Sequence, residues 1–99
     1  MVFECHITIA DSLSHTHVNI KQSVLDAKWK FSCIDGDPLL GKQILYYATR
    51  WFEHRENAII ETNRQKDLFI QHGLRVVRAK VEEVIYDARL IGGVWKEIP

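Results

Sequence analysis

The segment FECHITIA, residues Phe3 to Ala10, decides the fold because apolar and polar residues alternate along it. A repeat of two residues is typical of a β-strand that buries one face and exposes the other. The alternation therefore predicts a first strand over Val2–Ala10. Three polar side chains share its predicted solvent-facing side: Glu4, His6 and Thr8.

Two later segments continue the strand pattern. Lys28 to Ile34, KWKFSCI, alternates between aromatic or sulfur side chains on one side and lysine or serine on the other. Leu74 to Ile91 is predicted as a long strand. Gly92-Gly93 follows and is typical of a two-residue hairpin turn into a final strand, while an arm packed across the sheet is the alternative.

The first connection, from residue 11 to residue 27, begins with a polar, turn-rich stretch. VNIKQSVLDAK then places its apolar residues near helical spacing. It predicts a short helix capped by Thr16 or Asn19, with a second extended segment as the alternative.

The second connection is predicted to be helical. Asp37 followed by Pro38 is typical of a helix start. The helical pattern extends to Gly73, either as one helix or with a restart near Glu56. Its first part has an apolar stripe near 3.6-residue spacing, formed by Leu40, Ile44, Ala48, Trp51 and Phe52.

These elements predict one α+β domain over residues 1–99, with residues 88–99 as a hairpin strand or a C-terminal arm. The expected architecture is an antiparallel sheet of three or four strands with helices packed on one face, ferredoxin-like or a reduced version of it. Alternating strands favour an antiparallel sheet, because strands of a parallel sheet covered on both faces read as continuous apolar runs.

The composition restricts the classes of function. Thirteen basic residues balance thirteen acidic ones, so any anion site must be local. No apolar run approaches the roughly 20 residues that span a bilayer, and the N-terminus does not resemble a signal peptide. Cys5 and Cys33 are expected to be buried thiols in a reducing compartment, which predicts a cytoplasmic protein.

The predicted open face of the sheet gathers polar and charged residues, with cations in excess. An arginine that binds in a bidentate manner, lysines and hydroxyls together suit a phosphate group. The alternatives are a solvated face with cross-strand charge pairs and an interface with a partner or a second copy. The residues of this face are Glu4, His6, Thr8, Lys28, Lys30, Ser32, Arg78, Lys80 and Glu82.

His6 and Thr8 lie in the sequence HITI, which resembles a half-motif of the two-histidine phosphoesterases. The family carries two such elements on neighbouring strands, and this chain has one. The resemblance implies that His6 transfers a proton to or from a phosphodiester while Thr8 positions the phosphate. It also implies a single lobe, so that a dimer is needed to bring two His6 side chains together.

Other candidate motifs have simpler explanations. His15 and His17 are expected to lie in a solvated loop. Asp35 and Asp37 could offer two carboxylates to Mg²⁺, but Asp37 is expected to cap a helix and Gly36 to form a turn. Tyr46 to Phe52 is rich in aromatic residues and is assigned mainly to core packing. No metal and no cofactor is predicted.

The expected function is that of a small cytoplasmic domain that binds a phosphorylated small molecule, nucleotide or nucleic-acid end, with phosphodiesterase-like activity as an extension. His6 is the candidate catalytic residue. A non-enzymatic protein-interaction or homodimerising protein that uses the same face is the alternative. The candidate phosphate-binding residues are Thr8, Lys30, Ser32, Arg78 and Lys80.

Overall fold

The computed structural model describes residues 1–12, 15–34, 44–84, 88–91 and 93–97. Within these ranges six strands and two helices are present. In chain order they are β1 (Val2–Ala10), α1 (His17–Asp26), β2 (Lys30–Ile34), β3 (Leu45–Phe52), α2 (Arg55–Gln71), β4 (Arg75–Val84), β5 (Ala88–Ile91) and β6 (Val94–Glu97).

The first four strands form one antiparallel sheet in the order β2-β3-β1-β4. β1 is therefore a central strand, paired with β3 on one side and with β4 on the other. The element order β-α-β-β-α-β is consistent with a ferredoxin-like arrangement or a reduced version of it. This confirms the α+β prediction.

Both helices pack on one face of this sheet. Cys5, Ile7 and Ile9 of β1 have no exposed surface and belong to the same core cluster as Ile20 of α1 and Phe69 of α2. Each buried isoleucine of this kind stabilises the fold by about 1.5–3 kcal/mol relative to an exposed one. The other face of the sheet carries no helix from the described part of the chain.

The helix expected through Ala48–Phe52 is wrong, because β3 occupies Leu45–Phe52. Tyr46 and Ala48 are buried there while Trp51 is 41% exposed, which is the two-residue alternation of a strand. Pairing with both β1 and β2 stabilises the extended form. The expected helix start at Asp37-Pro38 and the stripe residue Leu40 lie outside the described residues.

α2 begins at Arg55, which agrees with the alternative of a restart near Glu56. It ends as expected before Gly73, whose φ of 84° is the left-handed conformation that commonly terminates an α-helix. α1 also agrees with the prediction, and its cap is Thr16, whose backbone N–H lies 3.4 Å from Asn19 Oδ1. Among the described residues, neither helix is long and apolar enough to cross a membrane.

The predicted strand from Lys28 begins later. Lys28 has a φ of 66° and ends α1, so that β2 begins at Lys30. Lys28 therefore does not belong to a strand row of the open face. The strand starts late because the backbone N–H of Trp29 still donates to Val24 O of α1, at 3.2 Å. The Trp29 side chain is buried in the core.

The predicted long strand from Leu74 to Ile91 is divided. β4 ends at Val84, and β5 pairs with β6 in a separate two-stranded antiparallel sheet. Ile91 faces Val94 across the turn, where Gly93 has a φ of 79°. β5 and β6 therefore pair as a hairpin, but in a sheet of their own and not as a final strand of the main sheet; Gly92 lies outside the described residues.

Candidate functional site

The open face is assembled by strand register around His6. His6 lies opposite Thr49 of β3 and opposite Lys80 of β4. Thr8 lies opposite Tyr47 on one side and Arg78 on the other. Tyr47 in turn lies opposite Ser32 of β2. Since directly opposed residues in antiparallel strands share a face, four strands contribute to one surface.

A concavity of about 370 Å³ lies in this surface. This volume falls within the range of small-molecule pockets, whose lower limit is about 300 Å³. Five of the six candidate site residues line it, together with residues that the sequence did not single out. The lining residues are His6, Thr8, Ser32, Cys33, Tyr47, Thr49, Arg78, Lys80 and Glu82.

Lys30 is the candidate phosphate ligand that does not line the concavity. It lies on the same face, in register with Thr49. Its ammonium group is 5.8 Å from the ring centroid of Trp51, a cation–π distance. The structure thus places Lys30 at the flank of the site, against the exposed indole.

Both ring nitrogens of His6 have partners. Nε2 lies 3.0 Å from Glu4 Oε1, and Nδ1 lies 3.1 Å from Thr49 Oγ1. An ionised carboxylate only accepts hydrogen bonds, so Nε2 carries the proton and donates to Glu4. In the neutral ring Nδ1 then accepts from the Thr49 hydroxyl. Carboxylate, imidazole and hydroxyl form a continuous relay across two strands.

The hydroxyls form the floor of the site. Thr8 and Thr49 are only 5% and 7% exposed, whereas Ser32 on β2 is exposed. Thr49 and Tyr47 were missed because their segment was assigned to a helix. The signal that could have found them is the aromatic content of LYYATRWF, which favours a strand but does not by itself exclude a helix.

The charges of the site leave one cation uncompensated. Lys80 Nζ is 2.7 Å from Glu82 Oε1, whereas Arg78 has no carboxylate of the described residues within 4.0 Å. The hydrogen bond from Lys80 is the main cause that lowers the pKa of Glu82, and the nearby charges of Lys80, His6 and Arg78 act in the same direction. The charged residues that line the concavity therefore sum to one positive charge, with the Glu4 carboxylate beside it at His6, on a chain of zero net charge.

Both cysteines were expected to be buried, and the structure buries Cys5 completely but Cys33 only in part. Cys5 points into the core with Sγ 3.8 Å from Ala58 O, and burial raises the pKa of its thiol. Cys33 is half-buried. A raised thiol pKa disfavours the thiolate, so Cys5 is unsuited to act as a nucleophile.

The remaining motifs do not form a second reactive centre. No group of three or more His, Cys, Asp or Glu side chains in the described ranges is arranged to hold a metal. His17 contacts the rings of Phe31 and Tyr46 edge-on at 5.4 and 5.3 Å, and His15 lies against Gly73. Asp35 and Asp37 lie outside the described residues.

Comparison with known proteins adds no functional assignment. No family model, no curated protein and no solved structure matches this chain. The resemblance of His6-Ile7-Thr8-Ile9 to a phosphoesterase half-motif therefore stays a hypothesis. The geometry of the concavity is what bears on function.

Proposed function

We propose that this protein binds a phosphorylated ligand in the concavity of its open sheet face. The observation that carries the proposal is the exposed Arg78 guanidinium, which lacks a carboxylate partner among the described residues and lines the same hollow as the His6 imidazole. A guanidinium presents parallel N–H donors that match two phosphate oxygens. Thr8 and Ser32 supply hydroxyl donors to the remaining oxygens.

The lining also supports a nucleotide or a nucleic-acid end as the ligand. Tyr47 is half-buried at the concavity and offers a ring on which a base can stack. The zero net charge of the chain provides no extended field for a long polyanion. A single terminal phosphate with one attached base fits the local charge and the volume best.

A phosphodiesterase-like reaction is the enzymatic extension of this proposal, with His6 as the proton-transfer residue. His6 lies within a hydrogen-bonded relay that holds one tautomer of the ring. Glu4 and His6 side chains are 32% and 27% exposed, so a ligand can reach the side of the ring that Glu4 occupies. Proton transfer to a phosphodiester oxygen requires that ligand to replace Glu4 at Nε2.

A cytoplasmic location belongs to the same proposal. Its support is the buried Cys5 thiol in the core, because a core that packs around a thiol without a disulfide needs no oxidising compartment.

The test is a histidine-resolved NMR titration with inorganic phosphate and with a nucleoside monophosphate. We expect the His6 resonances to shift saturably and those of His54 and His72, outside the concavity, to stay unchanged. Arg78→Ala should weaken the affinity by roughly ten- to a hundredfold, because a hydrogen bond to a charged group contributes roughly 1.5–3 kcal/mol.

Arg75→Ala is the matched control, because Arg75 is an exposed arginine of the same strand that does not line the concavity. Equal losses in the two variants would indicate non-specific charge attraction. No shift of His6 with either ligand would refute phosphate binding. Turnover of cyclic and linear phosphodiesters, abolished in His6→Ala, tests the enzymatic extension separately.

A further inference from the structure

β4 is an edge strand of the four-stranded sheet, and much of it is exposed. It pairs with β1 on one side, and no described strand pairs with its other side. Val77 is 48% exposed, and Arg78, Ala79, Glu82 and Glu83 are also exposed. An edge strand presents unpaired N–H and C=O groups, which another strand can bind.

The part of β4 that is regular enough for such pairing is short. The register with β1 is continuous from Val84 to Arg78 and shifts at Val77, where an extra residue forms a bulge. A bulge bends the strand and interrupts a ladder. The continuous segment is therefore Arg78–Val84, whose central residue is Val81.

The charges of this segment distinguish the registers in which two copies can pair. In an antiparallel pair the facing residues share a face of the sheet. A two-fold axis between two copies of β4 must therefore lie where one residue faces its own copy. An axis at Lys80 places Lys80 against itself, and an axis at Ala79 places Arg78 against Lys80. An axis at Glu82 places that carboxylate against itself. Each of these registers opposes like charges, which destabilises a sheet.

The register centred on Val81 avoids this repulsion. Lys80 of each copy then faces Glu82 of the second copy, twice by symmetry. Val81, which is half-buried in one copy, faces Val81 of the other on the helix side of the sheet. The charge pattern and the regular segment thus select the same centre.

We propose that the protein forms a homodimer through antiparallel pairing of the β4 edges, centred on Val81. The contact joins two four-stranded sheets into one of eight strands. A cross-strand ion pair stabilises a sheet only weakly, and a contact along one strand is smaller than a standard interface of ~1,600 Å². The dimer is therefore reversible and depends on protein concentration.

The dimer also brings the two open faces onto the same side of one sheet. Arg78, Lys80 and Glu82 line each concavity, so the two concavities adjoin across the axis. The two β1 strands lie three strand spacings apart, which is about 14 Å.

The test is sedimentation velocity of the full chain over about a hundredfold range of concentration. We expect the wild type to shift from monomer to dimer. Lys80→Glu and Glu82→Lys should each be monomeric, because each places like charges opposite one another. An equimolar mixture of the two variants should form a heterodimer, because opposite charges then face one another. Circular dichroism of each variant establishes that it is folded.

Oxidative crosslinking tests the register. Val81→Cys places two thiols opposite each other across the axis and should form a covalent dimer. Ala79→Cys faces Glu83 and should not, beyond the level of the parent with its native cysteines. A wild type that is monomeric throughout, a dimer that both charge variants preserve, or crosslinking through position 79 and not 81 would each overturn the proposal.

Discussion

His6 illustrates how much of this site depends on single side chains. Its two ring nitrogens contact a carboxylate two residues before it and a hydroxyl from another strand, at 3.0 and 3.1 Å. Glu4 therefore has two effects on a phosphate ligand. It orients the ring, and it repels a second anion that approaches Nε2.

We predict that Glu4→Gln increases the affinity for inorganic phosphate. The amide oxygen still accepts from Nε2–H, while the repulsion between carboxylate and phosphate is lost. At about pH 8, above the ordinary titration range of histidine, the gain should be severalfold, corresponding to roughly 1 kcal/mol for a partly exposed charge. Isothermal titration calorimetry measures it.

Glu83→Gln is the control for this change. Glu83 is an exposed carboxylate that lies in register with Phe3, on the helix side of the sheet. Its replacement alters the net charge by the same amount without touching the concavity. An equal gain in both variants would show that overall charge is responsible and that Glu4 has no specific role.

At the scale of the element, α1 and α2 end in the same way with different residues. After each helix a residue with positive φ is followed by a backbone bond back to the last turn: Trp29 N to Val24 O at 3.2 Å, and Leu74 N to Phe69 O at 3.0 Å. This is the Schellman motif. The residue with positive φ is Gly73 after α2 but Lys28 after α1.

We predict that Lys28→Gly stabilises the protein, by about 0.5–1 kcal/mol in urea denaturation. A residue with a Cβ atom costs roughly 1–2 kcal/mol in the left-handed region, and glycine's greater freedom in the unfolded chain offsets part of the gain. Lys28 is exposed, so little packing is lost. Lys28→Ala retains the Cβ atom and is the control; equal stability of the two variants would contradict the prediction.

Gly73, the corresponding residue after α2, should show the opposite effect when its glycine is replaced. A Cβ atom added at Gly73 would lie 3.0 Å from His15 Cε1, which is a tight contact. The φ of 84° would also be strained for any residue with a side chain. Gly73→Ala should therefore lower the free energy of unfolding by about 1–2 kcal/mol. An unchanged or increased free energy of unfolding in Gly73→Ala would contradict this prediction.

At the scale of the whole molecule, the core shared by both helices and the sheet makes the stability depend on pH. Burial raises the pKa of the Cys5 thiol in the folded protein. Below the ordinary thiol pKa of about 8.5 the thiol is protonated in the folded and in the unfolded chain, and its contribution to the stability is fully present. As the pH rises, the unfolded chain ionises first, so stability falls until the folded thiol also ionises.

We predict that Cys5→Ala flattens the decline of the free energy of unfolding as the pH rises above about 8.5, the ordinary pKa of a thiol. The difference in slope from the wild type should approach, at most, about 1.4 kcal/mol per pH unit, the value for one proton. Urea denaturation at several pH values measures it. Equal slopes in the two proteins would show that Cys5 ionises alike in the folded and unfolded states.

The sequence by itself determined the features whose cause is local. The period of two in Val2–Ala10 predicted both the strand and its polar face, because a strand exposes alternate side chains wherever it pairs. Helical spacing with a final glycine predicted the end of α2, and Gly92-Gly93 predicted the hairpin. Each signal is contained within a few neighbouring residues.

Only the tertiary structure decided that Leu45–Phe52 is a strand and that Thr49 reaches His6, which is 43 positions away in the chain. This segment has apolar residues compatible with both a helix and a strand. The choice depends on hydrogen bonds to β1 and β2, which distant segments supply. The relay from Glu4 through His6 to Thr49 follows from that pairing, because strand register is a non-local property.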